Sequence, residues 1–453
     1  MDKSSHVQLV QSLIVAFAWA FDAQQAFISV FTDADPAWRC LKSTDSICQA
    51  ASNPCNLGAD TWSWVSPSHS STISDLALNC SGKALSSLPT TAFFIGCLIG
   101  GFFLSTLADS VLGRKKLLVL SCIIMSIAGA LSALSPNIWV YCTLRFVSGF
   151  GRSVVGTCSL VLCSEIAKEK WRDGISMSCF FFYTLGFLSL PGIAYAGRRS
   201  SWRLLYLWTC APAFVYAILV HFFVEESPRW LSMQKHNNKA KGISQAFSSI
   251  KKLVTTRSTL LKLIAIMLAS SGIGMAFIGM PLSVSSLGHN LYLSIVYNAL
   301  ADLSTSVATF FLMVYINRRI SLVVLTMFCG IASLICVLRV ISSKIQLAAE
   351  VISFFCVGMA LNVILVYGVE LFPTCVRSSA LSLVKQAITF GGALAPIFVA
   401  EGRRRSKLWS FGVFGIVVIC CGLFVVFLPE TKGKDLTDNM EEENQNENST
   451  GTP

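Results

Sequence analysis

Hydrophobic residues run along this chain in long unbroken stretches, and twelve of them could cross about 30 Å of hydrocarbon as helices. They cover approximately residues 8–31, 88–108, 117–135, 138–166, 174–196, 203–224, 260–282, 291–316, 321–341, 345–370, 378–400 and 408–428. The connections are short except for 32–87 after span 1 and 225–259 between spans 6 and 7. The pattern predicts an all-α integral membrane protein in which each helix satisfies its own backbone polar groups. Span 1 carries Asp22 and has no small-residue cleavage site behind it, so it reads as an uncleaved signal anchor.

Composition narrows the class further. Hydrophobic residues make up 54% of the 453 positions, and charged residues make up 13%, about half the share of a soluble domain. Water-soluble, disordered and disulfide-scaffold classes are excluded on those numbers. The net charge of +11 is distributed by topology. With both termini cytosolic, twenty of the 35 Lys and Arg fall on the inner side, eleven outside, and four within spans (Arg145, Arg152, Arg339 and Lys385). The outer clusters at Arg198–Arg199–Arg203 and Arg403–Lys407 run against this rule but follow late helices. The charge thus reads as membrane orientation, and no nucleic-acid partner is expected. The membrane is the plasma or the vacuolar membrane, and the chain is expected to work as a monomer in contact with lipid.

The long first loop holds Cys40, Cys48, Cys55 and Cys80, together with a glycosylation sequon at Asn79-Cys80-Ser81. An outward, oxidising side permits disulfides and a glycan. Four cysteines allow three pairings, which spacing leaves open. The other thirteen cysteines read as small apolar side chains, without ligand spacing, and neither a metal nor a cofactor is expected. The polar tail from Asp438 reads as disordered, and its Asn448 sequon faces the cytosol.

An internal repeat organises the spans. Glu165-x6-Arg172 after span 4 recurs as Glu370-x6-Arg377 after span 10, and Glu226-Ser227 after span 6 as Glu430-Thr431 after span 12. The offsets are 205 and 204 residues, as expected of a duplicated six-helix unit. Two pseudo-symmetric six-helix bundles meeting at a central cavity are the major facilitator fold, which works by rocking its halves. The expected division is a bundle at 1–224, a cytosolic loop at 225–259, a second bundle at 260–428 and a cytosolic tail at 429–453.

Several motifs strengthen this. Leu107-Ala108-Asp109 with Gly113-Arg114-Lys115, Arg145-Phe146-Val147-Ser148-Gly149-Phe150-Gly151, Glu226-Ser227-Pro228-Arg229-Trp230 and Pro429-Glu430-Thr431 resemble the superfamily's signature segments. More narrowly, Phe21-Asp22-Ala23-Gln24-Gln25, Ser135-Pro136-Asn137-Ile138-Trp139, Gly272-Ile273-Gly274-Met275 and Glu370-Leu371-Phe372-Pro373-Thr374 resemble the plant organic cation/carnitine transporters. That group is related to the animal organic cation, carnitine and organic anion carriers. The resemblance covers nearly the whole chain. It implies secondary active transport of small organic cations or zwitterions (the carnitine, choline and polyamine class), with protons as the coupling ion.

Candidate residues follow from burial costs. A charge at mid-span costs on the order of 2.5–3.5 kcal/mol, so it should face a cavity and have a partner. Counting 1.5 Å per residue from the outer boundary places Asp22 about 14 Å deep, Arg145 about 10 Å and Arg152 about 21 Å. An Asp22–Arg145 pair is therefore expected, its carboxylate gaining and losing the coupling proton; the competing reading is a permanently ionised pair fixing two helices. Asp302 lies near mid-span in helix 8, where an acid could hold an ammonium group. Tyr183, Phe277, Tyr297 and Tyr367 offer cation–π faces, and Asn362 is a further polar candidate. Lys385 in helix 11 could hold a solute carboxylate, which together with Asp302 would suit a zwitterion. At the cytosolic face Asp109, Gly113, Arg114, Lys115, Glu165, Arg172, Glu226, Arg229, Glu370 and Arg377 are the expected gate, built of pairs worth about 0–1 kcal/mol each.

Other classes fit less well. A channel would need a symmetric ring of charges. An enzyme would need a nucleophile–base set or metal site, and none of the five histidines has a helical ligand spacing with another. A receptor on the same fold and a proton-coupled sugar carrier remain as alternatives. Helix 7 argues against the sugar carrier, because Gly272–Phe277 lacks the paired glutamines that such carriers have there.

Overall fold

The computed structural model describes residues 3–41, 48, 54–58, 60–65, 67–80, 83–107, 112–167, 172–227, 231, 257–338, 342–372, 377–405 and 408–431. Among them are twelve helices long and apolar enough to span a membrane: α1 His6–Thr32, α2 Leu85–Leu104, α3 Arg114–Ser132, α4 Ile138–Ile166, α5 Ser178–Ala196, α6 Trp202–Phe223, α7 Arg257–Leu287, α8 Leu291–Tyr315, α9 Arg318–Ile335, α10 Ser343–Leu371, α11 Ser379–Gly402 and α12 Trp409–Phe427. Helices α3, α7 and α9 start at Arg114, Arg257 and Arg318, three residues before their apolar stretches. A basic side chain lowers local hydropathy, yet its stem can lie along the helix while its head reaches water. Helix α9 stops at Ile335, so Arg339 lies beyond the span expected to contain it, and outside the described residues. The loop and tail expected at 225–259 and 429–453 also fall largely outside them.

Local sequence sets the helix starts. The Asn137 side chain accepts from the Val140 N–H at 3.0 Å where α4 begins, and Asn290 accepts from the Tyr292 N–H at 3.1 Å where α8 begins. Each satisfies a donor that a helix start leaves free. The glycine-rich signatures serve close packing. A Cβ on Gly149 of α4 would strike the Phe93 carbonyl of α2, and one on Gly391 of α11 would strike the Ser271 carbonyl of α7. The two sets of six helices touch mainly along α2–α11 and α5–α8.

The repeat read from the sequence has a matching geometry on one face of the molecule. Glu226, after α6, accepts from the Lys115 and Lys116 N–H groups at 2.9 and 3.4 Å and so caps α3. Glu430, after α12, accepts from the Arg318 and Arg319 N–H groups at 3.0 and 3.2 Å and caps α9. Gly113 explains its place here. It takes φ +83°, and a Cβ on it would press against the Glu226 carboxylate. Beside these caps Arg114 lies 3.9 Å from Glu165, and Arg318 lies 3.1 Å from Glu370. Thr431 donates to Glu370 at 2.7 Å. Among the described residues each network stays within its own six helices. Asp109 and Arg229 lie outside the described residues, as do the side chains of Arg172 and Arg377.

The opposite face carries the loop after α1. Its strands β1 (Trp38–Cys40) and β2 (Trp62–Trp64) pair antiparallel, and the disulfides are Cys40–Cys48 and Cys55–Cys80. The loop is anchored by Asp33, whose buried carboxylate accepts from Thr72, Thr90 and Tyr141 at 2.8, 3.0 and 3.1 Å. Asp75 holds Arg203 at 3.0 Å, and Arg203 also donates to the carbonyls of Ala133 and Ser135. That tethering gives Arg203 a structural reason to stand where the charge rule disfavours it.

Candidate functional site

Helices α1 and α4 run antiparallel. Asp33, just past α1, meets Tyr141 near the start of α4, while Cys163 near the end of α4 donates to the Ser12 carbonyl in α1. Between them Asp22 pairs with Arg152 at 2.7 Å, and the Arg152 Nε also donates to the Asp22 carbonyl at 3.2 Å. The expected Asp22–Arg145 pair does not form. Arg145 is fully buried nearer the disulfide face, donates to the Ser29 hydroxyl at 3.0 Å and lies 4.1 Å over the Phe93 ring. The correction has a simple cause. Cα–Cβ bonds lean toward the N-terminus of their own helix. In antiparallel neighbours Asp22 therefore leans toward Arg152, and Arg152 toward Asp22, while Arg145 leans away. Depth along the axis alone does not register this lean. Helix α4 is also interrupted at Ser153–Val154, beside Arg152, and both residues line the cavity described next.

A cavity of about 260 Å³ lies between the two halves, slightly below the roughly 300–1,000 Å³ typical of ligand pockets. Eight helices line it: α1, α2, α4 and α5 from the first half, α7, α8, α10 and α11 from the second. It brings together Asp22, Tyr183, Phe277, Asp302, Asn362 and Lys385 from the sequence reading. Two candidates are placed elsewhere. Tyr297 is 39% exposed on the outer surface of α8, and Tyr367 is buried with its hydroxyl donating to the Pro429 carbonyl at 2.5 Å. An aromatic residue on a span carries no sign in the sequence of which face it occupies, and α10, apolar all round, hides the direction of Tyr367.

The charges in the cavity fall into two groups. Asp302 accepts from Thr184 of α5 at 2.7 Å, a bond that crosses between the halves, and it has no cationic partner among the described residues. Lys385 lies close enough to Asp22 for their charges to interact, and its ammonium makes no hydrogen bond or ion pair among the described residues. The aromatic wall is Trp19, Phe180 and Tyr183, with Trp19 ring centroids 5.4 Å from Phe180 and 5.9 Å from Tyr183. The Trp19 indole N–H is buried and has no partner among the described residues. Sequence reasoning missed Trp19, Thr184, Gln386 and the pairing role of Arg152. Trp19 was within reach, since it precedes Asp22 by three residues and so shares its helix face.

Toward the disulfide face the cavity is sealed. Phe27 stacks on Phe187 at 4.1 Å, Phe277 on Phe354 at 5.3 Å, and Phe27 meets Phe277 at 6.0 Å. These rings come from α1 and α5 on one side and α7 and α10 on the other, so closure is made by contact between the halves. Trp19, Thr157, Leu365 and Ser382 carry the lining toward the opposite face.

Comparison with known proteins agrees with this architecture. The model of the "Sugar (and other) transporter" family matches residues 26–252 and again 244–442, once for each half. Two relatives from Arabidopsis thaliana, organic cation/carnitine transporters 3 and 2, are 46% and 45% identical over 96% of this chain, covering 90% of each relative. Among solved structures, the inward-open xylose transporter XylE of E. coli matches with a TM-score of 0.67 at 18% identity, over 94% of this chain and 96% of that one. The chain is thus a multi-pass membrane transporter, and it belongs to the organic cation/carnitine transporter family of the major facilitator superfamily.

Proposed function

We propose that this transporter moves small organic cations, with carnitine-like zwitterions preferred, by alternating access coupled to protons through Asp22. The observation that carries the reading is Asp302, an anion facing the same cavity as Lys385 and a wall of aromatic rings, with neither charge in an ion pair among the described residues. A buried carboxylate recovers its desolvation cost when an ammonium binds, and aromatic faces add about 0.5–2 kcal/mol. Lys385 gives the other end of a zwitterion a place to bind. A neutral sugar would leave both charges uncompensated, which disfavours the sugar alternative.

The sealed disulfide side and the cavity reaching the other way support an inward-facing state. The two disulfides support placing that loop, with the Asn79 sequon, on the oxidising side, with both termini cytosolic. Asp22, paired and lining the cavity, is the residue through which proton movement would be coupled. Gate residues at the cytosolic face then act by stiffening each half as a rigid body: Glu226 and Glu430 fix helix starts, and Arg114–Glu165 and Arg318–Glu370 fix neighbours.

The test is uptake by proteoliposomes of labelled carnitine, choline, a polyamine and glucose, with and without an inward proton gradient. Gradient-stimulated carnitine uptake exceeding that of glucose supports the reading, and glucose uptake alone overturns it. No flux of any solute would favour a receptor.

A further inference from the structure

Outside the cavity, α10 holds a buried acid that the transport reading does not use. Glu350 has no exposed surface, and it lies eight residues, about 12 Å, from Gly358, where α10 reaches the cavity. Its Oε1 accepts from the Asn298 Nδ2 of α8 at 3.0 Å. The Glu350 Oε2 and the Asn298 Oδ1 are both buried, and neither has a partner among the described residues. These two orphans belong to the two members of one hydrogen bond. A proton on the Glu350 carboxyl, donated to the amide oxygen, satisfies both at once: acid and amide then each donate once and accept once. An ionised Glu350 would keep one hydrogen bond and two unpaired acceptors in a region without water-facing surface.

Among the described residues the groups around it offer no counter-charge. From α9, the Cys336 thiol is engaged with the Ala332 and Gln346 carbonyls, and Cys329 is hydrogen-bonded to Ser353 of α10. From α8 the charged neighbour is Asp302, one turn past Asn298 and of the same sign. Lys344, on α10 itself, is exposed at the disulfide end. The internal repeat sharpens the contrast. Glu350 precedes Glu370 by twenty residues, as Arg145 precedes Glu165, so the same place in the two halves holds a buried acid and a buried arginine.

We propose that Glu350 is a proton-binding site of the second half, a carboxylic acid that keeps its proton against Asn298 while the disulfide side is sealed. Asn298 and Asp302 lie on one face of α8, so loss of that proton disturbs the helix that carries the cavity's cation-facing acid. The site is independent of which solute fills the cavity.

The test is infrared spectroscopy of the full chain purified in micelles at neutral pH, in H2O and D2O, comparing the native protein with Glu350→Gln. The expected result is a protonated-carboxyl carbonyl band, isotope-shifted in D2O, that is missing from Glu350→Gln and retained in Glu165→Gln. Glutamine copies the neutral acid's one donor and one acceptor, so Glu350→Gln should also remain folded and monodisperse. Superimposable carboxyl spectra, or a Glu350→Gln protein that cannot fold, would each overturn the proposal. Neither readout depends on transport.

Discussion

Asp22 of α1 and Arg152 of α4 form an ion pair at 2.7 Å on the wall of the central cavity, seven residues past the arginine that the sequence suggested. Residues in direct contact couple by roughly 0.5–3 kcal/mol, whereas separated ones add independently. A double-mutant cycle on thermal unfolding should therefore give coupling of that size for Asp22→Asn with Arg152→Gln. For Asp22→Asn with Arg145→Gln it should be within about 0.5 kcal/mol of zero. The reverse order would restore the depth-based pairing. In transport, Asp22→Asn should abolish proton-driven accumulation and leave solute exchange intact, and unchanged accumulation would discard the coupling role.

The paired caps make a prediction about symmetry. Glu226 and Glu430 each accept two backbone N–H groups at the start of equivalent helices. Removing a cap typically costs about 1 kcal/mol. Glu226→Ala and Glu430→Ala should each destabilise by about that much, and the double variant by their sum. Strong non-additivity would point to a contact between the halves that the described residues do not contain.

The aromatic wall separates residues of similar composition by position. Trp19→Ala should weaken binding of a quaternary ammonium by about 0.5–2 kcal/mol, roughly 2- to 30-fold. Tyr297→Ala, on the outer surface of α8, should leave affinity unchanged. Competition against labelled choline measures both, and an effect at Tyr297 with none at Trp19 would show the wall to be misassigned.

Much of this was legible in the sequence. Span number, the duplicated unit and Glu226–Glu430 equivalence follow from hydropathy and from offsets between charged residues, because membrane insertion penalises every misplaced charge. Asp22, Asp302 and Lys385 were found for the same reason. Direction around a helix was harder to read. Arg145 and Arg152 are seven residues apart on one face, so only the lean of their side chains chooses between them. Trp19 and Tyr297 differ in facing cavity or surface, which an apolar span conceals. Glu350 escaped notice because a single acid near the end of a very apolar helix barely alters its mean hydropathy.

Lys385 should distinguish zwitterions from simple cations. A charged hydrogen bond is worth about 1.5–3 kcal/mol, so Lys385→Ala should weaken carnitine uptake affinity by roughly 10- to 150-fold. Choline has no carboxylate, and its affinity should be unchanged or improved. Native carnitine affinity in Lys385→Ala would rule the carboxylate role out.

The account depends most on a solute cation resting against Asp302. Equilibrium binding of tritiated carnitine to purified protein tests this without reference to coupling or direction. Asp302→Asn preserves shape and the bond from Thr184 while removing the charge, and it should weaken binding roughly tenfold or more. Native affinity in Asp302→Asn would contradict the assignment of this cavity as a cation site.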